Sequence, residues 1–251
     1  MFPDLIYDVG MHGGGDTAFY LQKGFRVVAV EANPDLCARA RTEFKQWITA
    51  GRLTIVPFAI AETIGHRSFF LNEQQDDWSS LVPDFGTRGG AFQEIQVPCM
   101  PLLTLADIFG VPYYLKIDIE GLDDFCIQQL AAFPSLPRYV SAEATVEDFS
   151  RRMSAMGYRS FKLIGQRRAS IHRVAGPVLE GFDAEPAAAG LTSGHFGEET
   201  YGRWMAADEF DQELRLLGAR RFGEMIHARE YRFTPEHLAD EWFDMHAKLG
   251  G

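Results

Sequence analysis

The sequence predicts an α/β fold, a doubly wound parallel sheet with helices on both faces and a C-terminal extension. Three observations predict it. The apolar run Leu5-Ile6-Tyr7 leads into Asp8-Val9-Gly10, passes a glycine cluster and opens a helix, which is how a parallel-sheet domain turns its first strand into a ligand-binding loop. Strand-like and helix-like stretches then alternate, and the strands are apolar throughout, as in a sheet covered on both sides. Lastly, Asp8, Glu31, Ala59, Asp118 and Glu143 all fall at strand ends, so polar groups converge on the rim where such sheets bind ligands.

The elements follow in order. Residues 5–9 form the first strand, and the helix after it is capped by Asp16 or Thr17 and stops at Gly24. Residues 26–30 are a β-branched second strand ending at Glu31. Asn33-Pro34 starts a helix, with Asn33 as cap. Leu36, Ala40, Phe44 and Trp47 recur at helical spacing. Residues 54–58 are the third strand, closing at Ala59-Ile60-Ala61, and 67–71 and 95–99 are extended. Residues 72–94 show no period and read as a functional or a disordered loop. A short helix over 104–110 precedes the fourth strand at 113–117, followed by a helix over 123–132. The fifth strand is 139–142. Thr145 caps a helix ending at Gly157, and 160–164 is the sixth strand. Phe210, Leu214 and Leu217 indicate a helix. Thr234-Pro235 suggests another, with Leu238, Trp242, Met245 and Leu249 in step, although the alternation in Trp242-Phe243-Asp244-Met245-His246 also fits a strand. Residues 1–175 read as the core and 176–251 as an extension packed on it.

Composition narrows the function classes. The 251 residues are 46% hydrophobic with a formal net charge of −11, a balance opposite to that of phosphate-gripping domains, so no nucleic-acid partner is expected. No apolar run approaches the ~18 residues of a membrane span. The N-terminus has no signal-peptide pattern. Three cysteines without metal-like spacing, Cys37, Cys99 and Cys126, point to a reducing cytoplasm.

Two strings carry chemistry. Asp8-x-Gly10-x-x-x-Gly14 fits a loop that binds S-adenosylmethionine, whose carboxylate can meet backbone N–H groups near a helix N-terminus. An acid closing the second strand, Glu31, can accept both ribose hydroxyls. Gly13-x-Gly15-x-x-Ala18 formally fits a dinucleotide fingerprint, but it begins three residues past Asp8-x-Gly10. The alternative it represents is an NAD(P)-dependent oxidoreductase. In Lys116-x-Asp118-x-Glu120-Gly121, residues two apart face the same way. Three charges on one face of a central strand are expensive to bury unless they pair or bind something.

These strings, with Val30-Glu31-Ala32-Asn33-Pro34, Ala59-Ile60-Ala61, Leu103-Thr104-Leu105-Ala106-Asp107 and Leu115-Lys116-Ile117-Asp118-Ile119-Glu120-Gly121, occur in the order and spacing of the FkbM-type family of S-adenosylmethionine-dependent methyltransferases, which residues 4–165 resemble. The resemblance implies a Rossmann-like class I methyltransferase sheet. It also implies cofactor contacts at Asp8, Gly10, Gly14, Glu31, Asn33, Ala59 and Asp118, with Ile60 against adenine. His12 and Thr17 join this set as loop residues. Met11-His12 stands where the family usually has Ala-Asn.

The chemistry expected is O-methylation of a small molecule, sugar or glycan. In-line displacement needs alignment above all, plus a base for the hydroxyl proton. Asp118, Glu120, Glu143 and His195 are the candidates. The three carboxylates could instead hold Mg²⁺, but no further ligand is spelled out and no metal residues are assigned. A scaffold that binds the cofactor without transferring is the non-enzyme alternative. The lid is expected from residues 72–94, the C-terminal third or a neighbouring copy, which leaves a homo-oligomer open.

Overall fold

The computed structural model describes residues 1–144, 148–169, 172–174, 176–186, 192–221 and 242–250. In chain order the elements are β1 (Phe2–Val9), α1 (Gly15–Gln22), β2 (Arg26–Val30), α2 (Pro34–Glu43), α3 (Lys45–Thr49), β3 (Leu53–Val56), β4 (Ala59–Ile60), β5 (Gly65–Asn72), α4 (Pro83–Gly86), β6 (Phe92–Met100), α5 (Leu102–Phe109), β7 (Pro112–Ile117), α6 (Asp123–Gln129), β8 (Tyr139–Glu143), α7 (Phe149–Met156), β9 (Tyr158–Gly165), α8 (Gln166–Ala169), α9 (Ala207–Arg221) and β10 (Phe243–Leu249). Seven strands form the main sheet in the order β3-β2-β1-β7-β8-β10-β9. Its first five strands are parallel, and β10 is antiparallel to both β8 and β9. The order reverses between β1 and β7, so the crevice expected of a doubly wound sheet lies beyond their carboxyl ends.

Each face of the sheet buries its own cluster. One contains Leu5, Tyr7, Val9, Leu115, Ile117, Phe149, Phe161 and Met245. The other contains Ile6, Phe19, Tyr20, Val27, Tyr114, Tyr139 and Phe196. Phe196 lies far down the chain yet stacks on Tyr114 with ring centroids 4.7 Å apart. The late segment therefore covers the same face as α1, and buried Lys23 pairs with Glu199 at 2.7 Å.

Several expectations need correction. Neither Asp16 nor Thr17 caps α1; Gly14 does, in the left-handed region at φ +80°, and both residues belong to the first turn of the helix. The 36–47 pattern is split into α2 and α3 at Phe44. The third strand ends at Val56, and Ala59–Ile60 leaves the main sheet to pair with Cys99–Met100 in a small sheet ordered β4-β6-β5. Residues 72–94 are not featureless, because a 3₁₀ turn over Asp76–Trp78 and α4 lie within them. At the C-terminus the strand reading prevails, since Met245 and Leu249 belong to β10. Thr145 and the Thr234-Pro235 helix start lie outside the described residues.

Candidate active site

The glycine loop is shaped by close approach. Gly10 sits at φ +92°, and a Cβ there would lie 1.8 Å from the Asp118 carbonyl oxygen, so only glycine lets the β1 and β7 ends run this close. Gly10 and Met11 N–H groups both donate to the Val30 carbonyl, and Asp118 N–H donates to Val9. His12 also adopts positive φ, at 48°. That twist aims its N–H at Glu31 Oε2, 2.8 Å away, while Asn33 N–H reaches Glu31 Oε1 at 2.8 Å. The carboxylate at the β2 tip is thus pinned by two backbone donors, with lone pairs left on both oxygens. Burial raises the Glu31 pKa and the two N–H groups oppose it. Asn33 caps α2, accepting from Asp35 N–H at 3.0 Å.

Beside it lies a charged hub. Lys116 Nζ stands 3.1 Å from Asp118, 3.5 Å from Asp16 and 3.6 Å from Asp8. Burial opposes its charge, but Asp118, Asp8 and Asp16 outweigh that and hold its pKa above the ordinary value. Asp8 is fully buried; Thr17 Oγ1 donates to its Oδ2 at 2.6 Å, while Oδ1 has no hydrogen-bond partner among the described residues. Burial lifts Asp8 to about 6, with Lys116 pulling the other way. Asp16 also receives the Ser193 N–H at 2.8 Å, which brings the late segment to the rim.

The β7 and β8 ends, with the start of β10, gather a set of carboxylates: Asp118, half exposed, then Glu120, Asp123 and Glu143, and Asp244 from β10. Register places Asp244 opposite Glu143. Glu120 takes φ +36° and lies 3.7 Å from the Arg88 guanidinium. Burial, then the Glu143 and Asp118 charges, pushes Glu120 up to about 8. Burial, then Asp118, does the same to Asp123, to about 7, and raises Asp244. Among the described residues no group of three or more His, Cys, Asp or Glu is arranged to hold a metal ion.

The expected site residues therefore divide. Asp8, Gly10, His12, Gly14, Thr17, Glu31, Asn33 and Asp118 gather at the β1, β2 and β7 tips. The His12 ring is turned away to Asp76, 2.9 Å off, so its backbone rather than its side chain serves the loop. Ala59 and Ile60 are buried in β4. Asp118, Glu120 and Glu143 come together, but His195 is not with them. It is buried edge-on against Phe19, with Nδ1 3.4 Å from Glu199, and burial lowers its pKa. Sequence reasoning gave Asp16 only a capping role and passed over Asp76, Arg88, Asp123 and Asp244. Only Asp244 left a signal, in the alternation that marked a strand.

No helix among the described residues is long and apolar enough to cross a membrane. No curated protein matches the chain significantly. Among solved structures, methyltransferase FkbM from Methylobacillus flagellatus KT is 17% identical with a TM-score of 0.37, over 56% of this chain and 32% of its own, so the chain spans about a third of that protein's length. Precorrin-6y C5,15-methyltransferase from Geobacter metallireducens GS-15 is 11% identical with a TM-score of 0.39, over 99% of this chain and 80% of its own. The family model of the methyltransferase FkbM domain matches residues 8–159, more than half of the chain and every strand-tip residue above except Asp244. The chain belongs to the FkbM methyltransferase domain family.

Proposed function

We propose that the protein is an S-adenosylmethionine-dependent O-methyltransferase whose acceptor is a hydroxyl on a small molecule, sugar or glycan. The observation that carries this reading is the pinned Glu31 carboxylate beside the Asp8–Lys116–Asp118 hub. A fixed carboxylate with free lone pairs suits a nucleoside diol. A mixed-charge hub suits a zwitterionic amino-acid tail. Asp8 Oδ1, buried and without a hydrogen bond although Lys116 Nζ stands 3.6 Å away, is the polar atom such a tail would satisfy.

Asp8, Gly10, Gly14, Glu31, Asn33 and Asp118 would hold the cofactor, with Ala59 and Ile60 toward its adenine and the His12 backbone and Thr17 acting through Glu31 and Asp8. When bound, the cofactor supplies an electrophilic methyl group on a sulfonium. The chain's own task is alignment, which is worth several kcal/mol, and removal of the hydroxyl proton. Glu120 keeps its proton near neutrality, so it donates a hydrogen bond to the acceptor. Asp118 and Glu143 are then the groups that take the proton.

Calorimetry with S-adenosylhomocysteine and NADH in parallel, plus tritiated methyl transfer to hydroxylated small molecules and glycans, tests this. The expected result is homocysteine-nucleoside binding, no NADH binding and label on oxygen. NADH binding alone would favour an oxidoreductase, label on nitrogen or carbon another acceptor class, and binding without transfer a scaffold.

A further inference from the structure

One side chain joins the ends of β7 and β8. Asp123 is 3% exposed. Its Oδ1 accepts the Ile119 N–H at 2.9 Å, and its Oδ2 accepts the Glu143 N–H at 3.0 Å. The first amide lies between Asp118 and Glu120, and the second belongs to Glu143 itself. An N–H left without a partner away from water is costly, so both peptide groups are committed to this carboxylate. The residue type matters: a carboxylate offers two acceptor oxygens, whereas an asparagine offers one acceptor and one donor. From the other side, Ser80 Oγ donates to the Glu120 carbonyl at 2.6 Å.

We propose that Asp123 is a positioning residue of the transfer site, its two oxygens clamping the β7 turn to the β8 tip so that Asp118, Glu120 and Glu143 face one acceptor position. This rests on the transferase reading above. The charged groups around the clamp are Asp118, Glu120, Glu143 and Asp244, with Lys116 and Arg88 the cations beside them. Asp123 is also one of the charges that keep Glu120 protonated, behind burial, Glu143 and Asp118. The clamp thereby couples the geometry of the three acids to the protonation of Glu120.

The test is an amide-resolved NMR titration of the full chain carrying ¹³C-labelled glutamate side chains, for wild type and Asp123→Asn, with S-adenosylhomocysteine calorimetry alongside. In wild type the Ile119 and Glu143 amide protons move together with pH and share one midpoint near neutrality. In Asp123→Asn the shared shift vanishes, and the Glu120 midpoint falls by at least about half a unit as a like charge is removed. S-adenosylhomocysteine affinity falls by no more than about tenfold, because Asp123 hydrogen-bonds the Ile119 and Glu143 amides and reaches Asp118 only through the turn between them. Separate midpoints, or no amide shift, in wild type would overturn the clamp whether or not the variant folds. An unmoved Glu120 midpoint in a folded variant would overturn the coupling. Loss of S-adenosylhomocysteine binding in the variant alone would place Asp123 on the cofactor side instead. A wild type that binds no S-adenosylhomocysteine would sink the transferase reading, while the amide titration still decides the clamp.

Discussion

Replacing Gly10 by alanine strikes the point where the β1 and β7 ends meet. The new Cβ would sit 1.8 Å from the Asp118 carbonyl oxygen and 2.7 Å from its carbon, both backbone atoms that no rotamer change can move aside. The φ of +92° adds a left-handed penalty, about 1–2 kcal/mol for a residue with a Cβ. Relieving the overlap by shifting packed backbone costs about 1–3 kcal/mol more. The sum, about 2–5 kcal/mol, is a large part of the 5–15 kcal/mol stability of an ordinary domain. Each kcal/mol lowers the melting midpoint by roughly 2–4 °C in a chain of this size, so thermal unfolding should show a drop of at least about 4 °C. Gly13→Ala is the control: a Cβ there meets nothing within 4 Å, and its stability should stay within about 0.5 kcal/mol of wild type. A Gly10→Ala protein as stable as wild type, or a Gly13→Ala protein equally weakened, would refute the close-approach argument.

Four further outcomes are expected. Lys116→Met leaves Asp8, Asp16 and Asp118 without their shared cation and should cost about 3–5 kcal/mol, read by urea unfolding at pH 8, where the carboxylates can least escape by protonation; a loss under about 1 kcal/mol would contradict the hub. Glu31→Gln removes one acceptor from a charge-assisted pair and should weaken S-adenosylhomocysteine binding at least about tenfold by calorimetry; an unchanged affinity would remove Glu31 from the cofactor site. Glu120 has a folded-state pKa raised from 4.5 to about 8, so the folded state binds the extra proton and stability falls as pH rises through that window. Glu120→Gln stays neutral, so its stability should gain on wild type from pH 5 to pH 8, and parallel curves would show that the shift is absent. The His12–Asp76 pair is half exposed on both sides, so a double-mutant cycle should give a coupling of about 0.2–1 kcal/mol; more than about 2 kcal/mol would mark it as a structural tie.

The parts of the fold written locally in the sequence were legible. Strands built on short apolar stretches, Val27-Val28-Ala29-Val30 in β2 and Tyr113-Tyr114-Leu115 in β7, stand where the sequence pattern placed them, and Asn33-Pro34 starts its helix as capping chemistry requires. What depended on distant pairing was harder. Ala59–Ile60 reads as the end of the third strand, yet its partners, Cys99 and Met100, lie some forty residues on and draw it into a second sheet. The terminal strand is short and its residues also fell in step with a helix, so the strand was only the second reading until pairing with β8 and β9 decided it. The site divides the same way. Asp8, Glu31, Asp118 and Glu143 were visible because each closes a strand. Asp123 sits inside a helix start, and its role depends on two amides, one of them twenty residues later. His195 looked like a base in a glycine-rich loop; only tertiary packing shows it buried against Phe19 and beside Glu199, away from the strand-tip carboxylates.

The most direct measurement is a crystal structure of the full chain soaked with S-adenosylhomocysteine. The account predicts ribose hydroxyls on Glu31, the amino-acid tail at the Asp8–Lys116 hub, and the sulfur open toward Asp118 and Glu143. A crevice that stays empty, or a ligand bound away from the β1, β2 and β7 tips, would contradict it.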